Sequence, residues 1–237
     1  MTRWSTLVGL VAVFAPYMAA TYLANNVGDR VCDAINPRKL QRNPVAKGEL
    51  SDREALAAAV LLAILGAVAA ALLFPVVLPV YVTAITLSLA YSLPPRLKCR
   101  PVLDIVSHSL FFGLLLVLMG AMVAGEAPDL ITLLLFAVYS AFLEVRNELE
   151  DLDYDAAALC TTTVARLGRR KALILARALA AGSVALAAIR VLKMTWAAFL
   201  APLALALYFW TPDTEHGARV VDLYVAATVA LWALGGV

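Results

Sequence analysis

WSTLVGLVAVFAPYMAATYLANNVGDRVCDAINPRK, residues 4–39, runs from an apolar stretch, Trp4 to Leu23, straight into a segment carrying Asn25, Asn26, Asp29 and Asp33. An apolar run of about twenty residues is what a helix needs to cross the hydrocarbon core of a bilayer. Charged groups set against hydrocarbon are costly and tend to mark function. The stretch therefore predicts a membrane helix that delivers acids to a site at its end.

Composition points the same way. The chain is 63% hydrophobic and 15% charged, with a mean hydropathy of +0.86. Soluble domains are roughly half apolar and a quarter charged. The net charge of +2, from 19 basic and 17 acidic residues, is too small to suggest a nucleic-acid partner. Cys32, Cys99 and Cys160 show neither paired spacing nor a nearby His, so neither a disulfide framework nor a zinc site is expected. No small-residue cleavage site follows the first apolar run, which is long enough to span, so it reads as a helix and not as a secretory signal.

Eight stretches approach spanning length: 4–23, 56–74, 76–93, 103–123, 130–143, 172–191, 196–210 and 220–237. The fifth is short but is expected to continue as helix into its polar tail, and the seventh contains Pro202. Nothing alternates as a barrel strand would, so the expected fold is all-α, a polytopic transmembrane bundle of about eight helices in a single domain, residues 1–237. Fifteen basic residues in the connections fall on one face and three on the other. The positive-inside rule then makes the large polar connections cytoplasmic and puts the N-terminus outside.

The same connections carry acids in a repeated register. Asn25, Asn26, Asp29 and Asp33 read N-N-x-x-D-x-x-x-D, and four spans later Asn147, Glu148, Asp151 and Asp155 read N-E-x-x-D-x-x-x-D. Steps of four stack side chains along one stripe of a helix. Two such stripes facing each other would make an all-oxygen site suited to a hard divalent cation, Mg²⁺ if phosphate oxygens complete the shell. Arg38, Lys39, Arg42 and Lys47 follow the first stripe, and Arg166, Arg169, Arg170 and Lys171 the second. Acids for a metal beside bases for an anion suit a metal-bound diphosphate, although cytoplasmic loops are rich in Lys and Arg in any case.

These residues resemble a family. Asn25 to Ser51 is similar to the first signature of the UbiA superfamily of intramembrane prenyltransferases, N-D-x-x-D-x-x-x-D followed by a basic loop and a Pro-x-x-x-Gly turn. Asn147 to Gly168 resembles the second signature, with Thr162 and Leu167-Gly168 in place. YSLPPRLKCRPVLD, residues 91–104, resembles the Tyr-Ser-x-Pro-Pro and Leu-Lys element between them. The three motifs stand in the family's order and cover about 160 residues.

The resemblance implies an enzyme that moves a polyprenyl group from its diphosphate to a hydrophobic or aromatic acceptor within the lipid bilayer, with Mg²⁺ as cofactor. It implies that Asn25, Asp29, Asp33, Glu148, Asp151 and Asp155 hold the metal, with Asp29, Asp33, Asp151 and Asp155 as the catalytic acids. Asn26, Lys39, Arg42, Tyr91, Lys98 and Asn147 would contact the diphosphate or orient its ligands. The chain departs from the family pattern in four places. Asn26 stands where the family usually has Asp, and Glu148 replaces Asp with a longer ligand of equal charge. Leu159 to Thr162 stands where Gly-Lys-x-Thr is common, which removes an expected phosphate-side base. The family commonly has nine helices with the first motif ending the second, whereas here it ends the first predicted span, so the usual first helix is expected to be absent.

Other conspicuous residues carry plainer readings. Asp104 is expected to cap its helix or pair with Arg100, and His108, one turn on, to hydrogen-bond a neighbour; an acceptor or proton-transfer site is the sharper alternative. His216, with Asp213 and Glu215, reads as a solvated loop. Trp4, Trp196 and Trp210 read as interfacial anchors, and the Gly-x-x-x elements as helix contacts. Two other function classes remain compatible with the sequence: a family member that binds prenyl lipid without turnover, and a membrane transporter or ion-binding protein, the latter disfavoured because the acids sit at span ends in a parallel repeat.

Overall fold

The computed structural model describes residues 3–191, 195–210 and 215–235, and the regular structure among them is all helical, with no strand. The side chains of Trp196 and His216 lie outside the described residues, as does Asp213. The chain runs through α1 (Arg3–Gly28), short α2 (Arg30–Ile35) and α3 (Pro37–Leu40), α4 (Asp52–Leu73) and α5 (Leu78–Ser92). It continues through α6 (Leu103–His108), a π-helical segment (Ser109–Leu114) and α7 (Leu115–Ala124), which form one rod, then α8 (Leu130–Ala157) and the short α9 (Thr163–Leu167). It ends with α10 (Arg169–Arg190), α11 (Thr195–Trp210) and α12 (Glu215–Gly235).

Among the described residues eight long rods lie at the eight predicted spans, and six of them are long and apolar enough to cross a bilayer. The fifth rod does continue past its apolar part, since α8 keeps its helix to Ala157. Local sequence sets the helix starts. Ser51 accepts from Glu54 N at 3.3 Å while the Glu54 carboxylate accepts from Ser51 N at 2.9 Å, a capping box that opens α4. The Asp129 side chain accepts from Thr132 N at the start of α8, and Thr162 from Ala165 N at the start of α9.

Packing divides the bundle into two halves. Val13, Tyr17 and Ala20 of α1 pack with Ala70 of α4, Tyr81 and Ile85 of α5 and Met119 of α7. Leu135 and Phe142 of α8 pack with Val184 of α10, Tyr208 of α11 and Val221 of α12. Each half begins with the helix that ends in an acidic motif, so the repeat read from the sequence is also a repeat of architecture. The outer faces of α1 and α4 expose Leu7, Val8, Val11, Leu61, Ile64, Leu65 and Leu72, an apolar exterior suited to lipid. Trp4 and Trp210 are also exposed.

Small residues allow the closest approaches. A Cβ on Gly28 would lie 2.3 Å from the Ser92 carbonyl oxygen, so the ends of α1 and α5 meet backbone to backbone. A Cβ on Gly113 would lie 2.6 Å from the Phe136 carbonyl oxygen and 2.9 Å from Ser140 Cβ, which draws the π-helical segment onto α8.

Two expectations are corrected at the connections. Cys99 and Cys160, taken as unpaired from their spacing, form a disulfide with Cα atoms 4.8 Å apart across 61 residues, while Cys32 is free and buried. Disulfide geometry depends on where two connections meet in space, which the spacing of three cysteines does not encode. Asp104, expected to cap α6 or pair with Arg100, instead binds the start of α9: Thr163 N donates to Oδ2 and Thr163 Oγ1 to Oδ1, both at 2.5 Å. The Thr163 hydroxyl also accepts from Val102 N at 2.6 Å. His108 does hydrogen-bond a neighbour, Ser140.

Two substitutions test these contacts by thermal unfolding in detergent. Gly113→Val is expected to cost about 1–3 kcal/mol, because the Phe136 backbone it would strike cannot move without displacing α8. Thr163→Val keeps the side-chain shape but leaves Val102 N without its acceptor and removes one of the two donors to Asp104 Oδ1, which keeps Ile105 N, and is expected to cost about 1–3 kcal/mol.

Candidate functional site

The two acidic stripes converge on one cavity of about 260 Å³. From α1 and the turn after it come Asn25 and Asp29, and from α8 come Glu144, Asn147, Glu148, Asp151 and Asp155. Helical hydrogen bonds continue across the break after Gly28, Asp29 N to Asn25 O and Asp33 N to Asp29 O at 2.8 Å each. The first stripe therefore keeps its register although α1 has ended.

Two lysines enter the cavity, Lys98 from the connection after α5 and Lys39 from α3. Lys98 Nζ lies 2.5 Å from Asp29 Oδ2, and Asn25 Nδ2 donates to the same oxygen at 3.0 Å. The connection after α5 that carries Lys98 is anchored by Arg96, which donates to the Gly28 carbonyl at 2.8 Å. Burial works against the Lys98 ammonium, but the Asp29 carboxylate outweighs it and holds the lysine pKa above its ordinary value. Lys39 pairs with Asp151. Asn36 positions Lys39 by capping α3, accepting from Arg38 N at 3.1 Å and Lys39 N at 3.4 Å.

The remaining acids are held differently. Glu148 accepts from Val164 N at 2.9 Å through Oε2 and leaves Oε1 buried without a hydrogen-bond partner. Asp29 Oδ1 and both Asp155 oxygens are likewise buried and unpartnered. Unsatisfied buried carboxylate oxygens are costly, and four of them around one cavity is the pattern left when a cation completes the arrangement. The donor set is oxygen throughout, which fits a hard ion such as Mg²⁺. Among the described residues, no three acids, histidines or cysteines already form a cage. Mg²⁺ is commonly bound through one or two carboxylates with substrate phosphates and water supplying the rest.

The cavity does not contain every candidate from the sequence. Asn25, Asp29, Lys39, Tyr91, Lys98, Asn147, Glu148, Asp151 and Asp155 line it. Asp33 is buried but sits behind the lining, where it accepts from Asn43 Nδ2 at 2.8 Å; burial raises its pKa, and the Asn43 hydrogen bond opposes the rise. Asn26 contributes its backbone carbonyl to Asn43 at 2.9 Å, and its side chain does not line the cavity, so the Asp-to-Asn departure removes a charge from outside it. Arg42 is exposed and away from the cavity, as are Arg166, Arg169, Arg170 and Lys171.

Sequence reasoning missed three participants. Asn43 ties Asp33, Asn26 and the turn at Val45 and Ala46 together, with no pattern to mark it. Glu144, 3% exposed, accepts from the Tyr91 hydroxyl and faces His108; its place four residues before Glu148 on the same stripe was the available signal. Arg146 borders the cavity and pairs with Asp222 of α12 at 2.7 Å, which also accepts from the Tyr139 hydroxyl at 2.8 Å. Beyond Phe112 and Leu143, which border the first cavity, lies an apolar pocket of about 260 Å³ lined also by Leu116, Val117, Phe136 and Tyr139.

Known proteins share both fold and sequence with this arrangement. A lycopene elongase/hydratase of Haloferax volcanii is 30% identical over 170 residues, covering 68% of this chain and 54% of the relative. A lycopene elongase/hydratase of Corynebacterium glutamicum is 27% identical over 175 residues, covering 72% of this chain and 61% of the relative. The match thus spans little more than half the length of these relatives. A UbiA homologue from Archaeoglobus fulgidus, solved bound to GPP and Mg²⁺, superposes with a TM-score of 0.74 at 21% identity, covering 98% of this chain and 89% of that one. The apo structure of a UbiA homologue from Aeropyrum pernix K1 gives 0.76 at 22% identity, covering 98% and 90%. These likenesses establish the shared fold of an integral, multi-pass membrane protein. With the sequence pattern of the family matched from residue 1 to residue 234, the chain belongs to the UbiA prenyltransferase family.

Proposed function

We propose that this chain is a single-domain, Mg²⁺-dependent intramembrane prenyltransferase that moves an allylic prenyl group from its diphosphate to a hydrophobic acceptor. The observation that carries the reading is the set of unpartnered buried oxygens on Asp29, Glu148 and Asp155 that share one cavity with Lys98 and Lys39. Family membership and the Mg²⁺ and GPP bound by the Archaeoglobus homologue support it. The basic residues in the connections favour the cytoplasm as the side on which the acids lie.

Asp29 and Asn25 from one stripe and Glu148, Asp151 and Asp155 from the other would hold the metal. Asp33, braced by Asn43, acts from behind as an additional negative charge. Bound there, Mg²⁺ would neutralise charge developing on the diphosphate as the allylic C–O bond breaks. Lys98 and Lys39, released from their carboxylates, would donate to the leaving diphosphate oxygens, strengthening as charge accumulates. Tyr91 and Asn147 would orient these groups. The aromatic and aliphatic walls at Phe111, Phe112 and Leu143 exclude water from the electrophilic carbon, and the adjoining apolar pocket suits an isoprenoid tail. Similarity to lycopene elongase/hydratases of Haloferax and Corynebacterium supports lycopene as the first acceptor to test.

The test is release of diphosphate from dimethylallyl, geranyl and geranylgeranyl diphosphates in detergent or lipid, with lycopene, 4-hydroxybenzoate or a prenylated glycerol phosphate as acceptor. Release that requires both acceptor and Mg²⁺ and stops on chelation is expected; no metal-dependent release or binding with any donor would refute the reading. Asp29→Asn is expected to lower turnover by on the order of a hundredfold or more. Lys98→Gln removes a charge-assisted contact to the diphosphate worth about 1.5–3 kcal/mol, so transition-state binding, read as kcat/KM, should fall roughly 10- to 100-fold.

A further inference from the structure

The inner end of the cavity holds titratable groups that the binding of metal and diphosphate does not use. His108 Nδ1 lies 3.2 Å from the Ser140 carbonyl oxygen and 3.0 Å from Ser140 Oγ. That hydroxyl donates to the His108 carbonyl oxygen at 3.1 Å, so its own hydrogen is committed. Both partners of Nδ1 therefore accept, which places the ring hydrogen on Nδ1 and leaves a lone pair on Nε2 of the neutral imidazole. Nε2 lies 3.6 Å from Glu144 Oε2, and the other Glu144 oxygen accepts from the Tyr91 hydroxyl. Nε2 and a carboxylate oxygen face each other with room for one proton between them.

The location matters as much as the tautomer. His108 lines the same cavity as Asp29, Lys98 and Asp155 and stacks on Phe112, ring centroids 5.0 Å apart, while Phe112 and Leu143 also wall the apolar pocket. The pair thus stands between the end that takes the leaving diphosphate and the end that takes hydrocarbon. A π-helical turn begins directly after His108, a local widening often found at functional sites.

We propose that His108, oriented by Ser140 and backed by Glu144, is the proton acceptor that completes prenyl transfer. The proposal rests on the prenyltransferase reading and adds the group that finishes the reaction. The allylic C–O bond breaks and its electron pair leaves with the diphosphate. A π pair of the acceptor forms the new C–C bond, leaving a cation on the acceptor. The C–H bond next to that cation, or on the attacked ring carbon, then breaks; its electron pair restores the double bond and its proton goes to Nε2. The resulting imidazolium is stabilised by Glu144, while Nδ1–H keeps its Ser140 partners throughout. The titratable groups around the pair are Tyr91 from α5, Asp104 from α6, Glu148 one turn along α8, and Lys98, whose charge reaches Glu144. Glu144 is a positioning residue here, whereas His108 touches the acceptor.

The deciding experiment uses the full chain in lipid with Mg²⁺, dimethylallyl diphosphate as donor and lycopene or 4-hydroxybenzoate as acceptor. Diphosphate, prenylated acceptor and prenyl alcohol are each quantified for wild type, His108→Gln, Glu144→Gln and His108→Ala with added imidazole. Prenylated acceptor is expected to fall by about 10²–10⁴-fold in His108→Gln, because the adduct cation, unable to lose its proton, reverts to acceptor and allylic cation. That cation recombines with diphosphate or is slowly lost to residual water, so alcohol rises relative to product. Imidazole should restore part of the transfer to His108→Ala, which a purely structural role for the ring would not allow. Metal-dependent binding of dimethylallyl diphosphate by each variant shows that the fold is retained. If wild type transfers and both His108 variants transfer at its rate with the same alcohol-to-product ratio, the assignment is overturned and the released diphosphate takes the proton instead. If wild type itself neither binds nor releases diphosphate with Mg²⁺, the prenyltransferase reading falls and this one with it.

Discussion

Crowding several carboxylates into an apolar bundle is the constraint from which the rest of the structure follows. Asp29, Asp33, Glu144, Glu148, Asp151 and Asp155 are all buried, and like charges at that density cannot be stable alone in low dielectric. Lys98 and Lys39 each pair with one of them, Asn43, the Tyr91 hydroxyl and the Val164 amide each give one a hydrogen bond, and Asp155 has only the weak Cys32 thiol and the more distant charge of Lys98. The balance is incomplete on the cation side. A bundle built only for stability would place apolar side chains here, so the retained imbalance fits a site that takes up positive charge with its ligand.

Much of the scaffold serves to deliver those charges. Gly28 lets the end of α1 touch α5 at Ser92, and Arg96 then fixes the loop that carries Lys98 to the Gly28 carbonyl. The Cys99–Cys160 disulfide and the Asp104–Thr163 contacts join that same loop region to the start of α9, whose Val164 amide holds Glu148. Loop, α6, α8 and α9 thus form one connected support around the acids. This also accounts for the tolerance of Asn26: the chain uses its backbone oxygen and leaves its side chain outside the cavity.

The long α8 connects the chemical ends of the site. Its 28 residues carry an apolar span, then Ser140 and Glu144 at the hydrocarbon end, then Glu148, Asp151 and Asp155 toward the polar end. One rigid helix therefore sets the distance between the groups that face hydrocarbon and those that face phosphate. A helix is suited to that task because its stripe of side chains has a fixed rise and register.

The sequence by itself determined the features that have local or periodic causes. Apolar run length gave the eight rods and the membrane class, and the step of four gave the two stripes, including the register that survives the end of α1 at Gly28. It also placed Lys98 and Tyr91 with the acids through a motif resemblance, and the cavity contains both. Tertiary structure alone decided which of these groups meet. Arg42 lies only three residues past Lys39 yet faces solvent, because it falls in the turn beyond the end of α3, whereas Lys39 within α3 reaches Asp151. Asn43, the Cys99–Cys160 pair and the Asp104–Thr163 contact join residues whose relation is not periodic, and Glu144 acquires meaning only when α5 and α6 bring Tyr91 and His108 against it. Helical periodicity and hydropathy are written in neighbouring residues, whereas a hydrogen bond between distant segments depends on packing that no single stretch of chain contains.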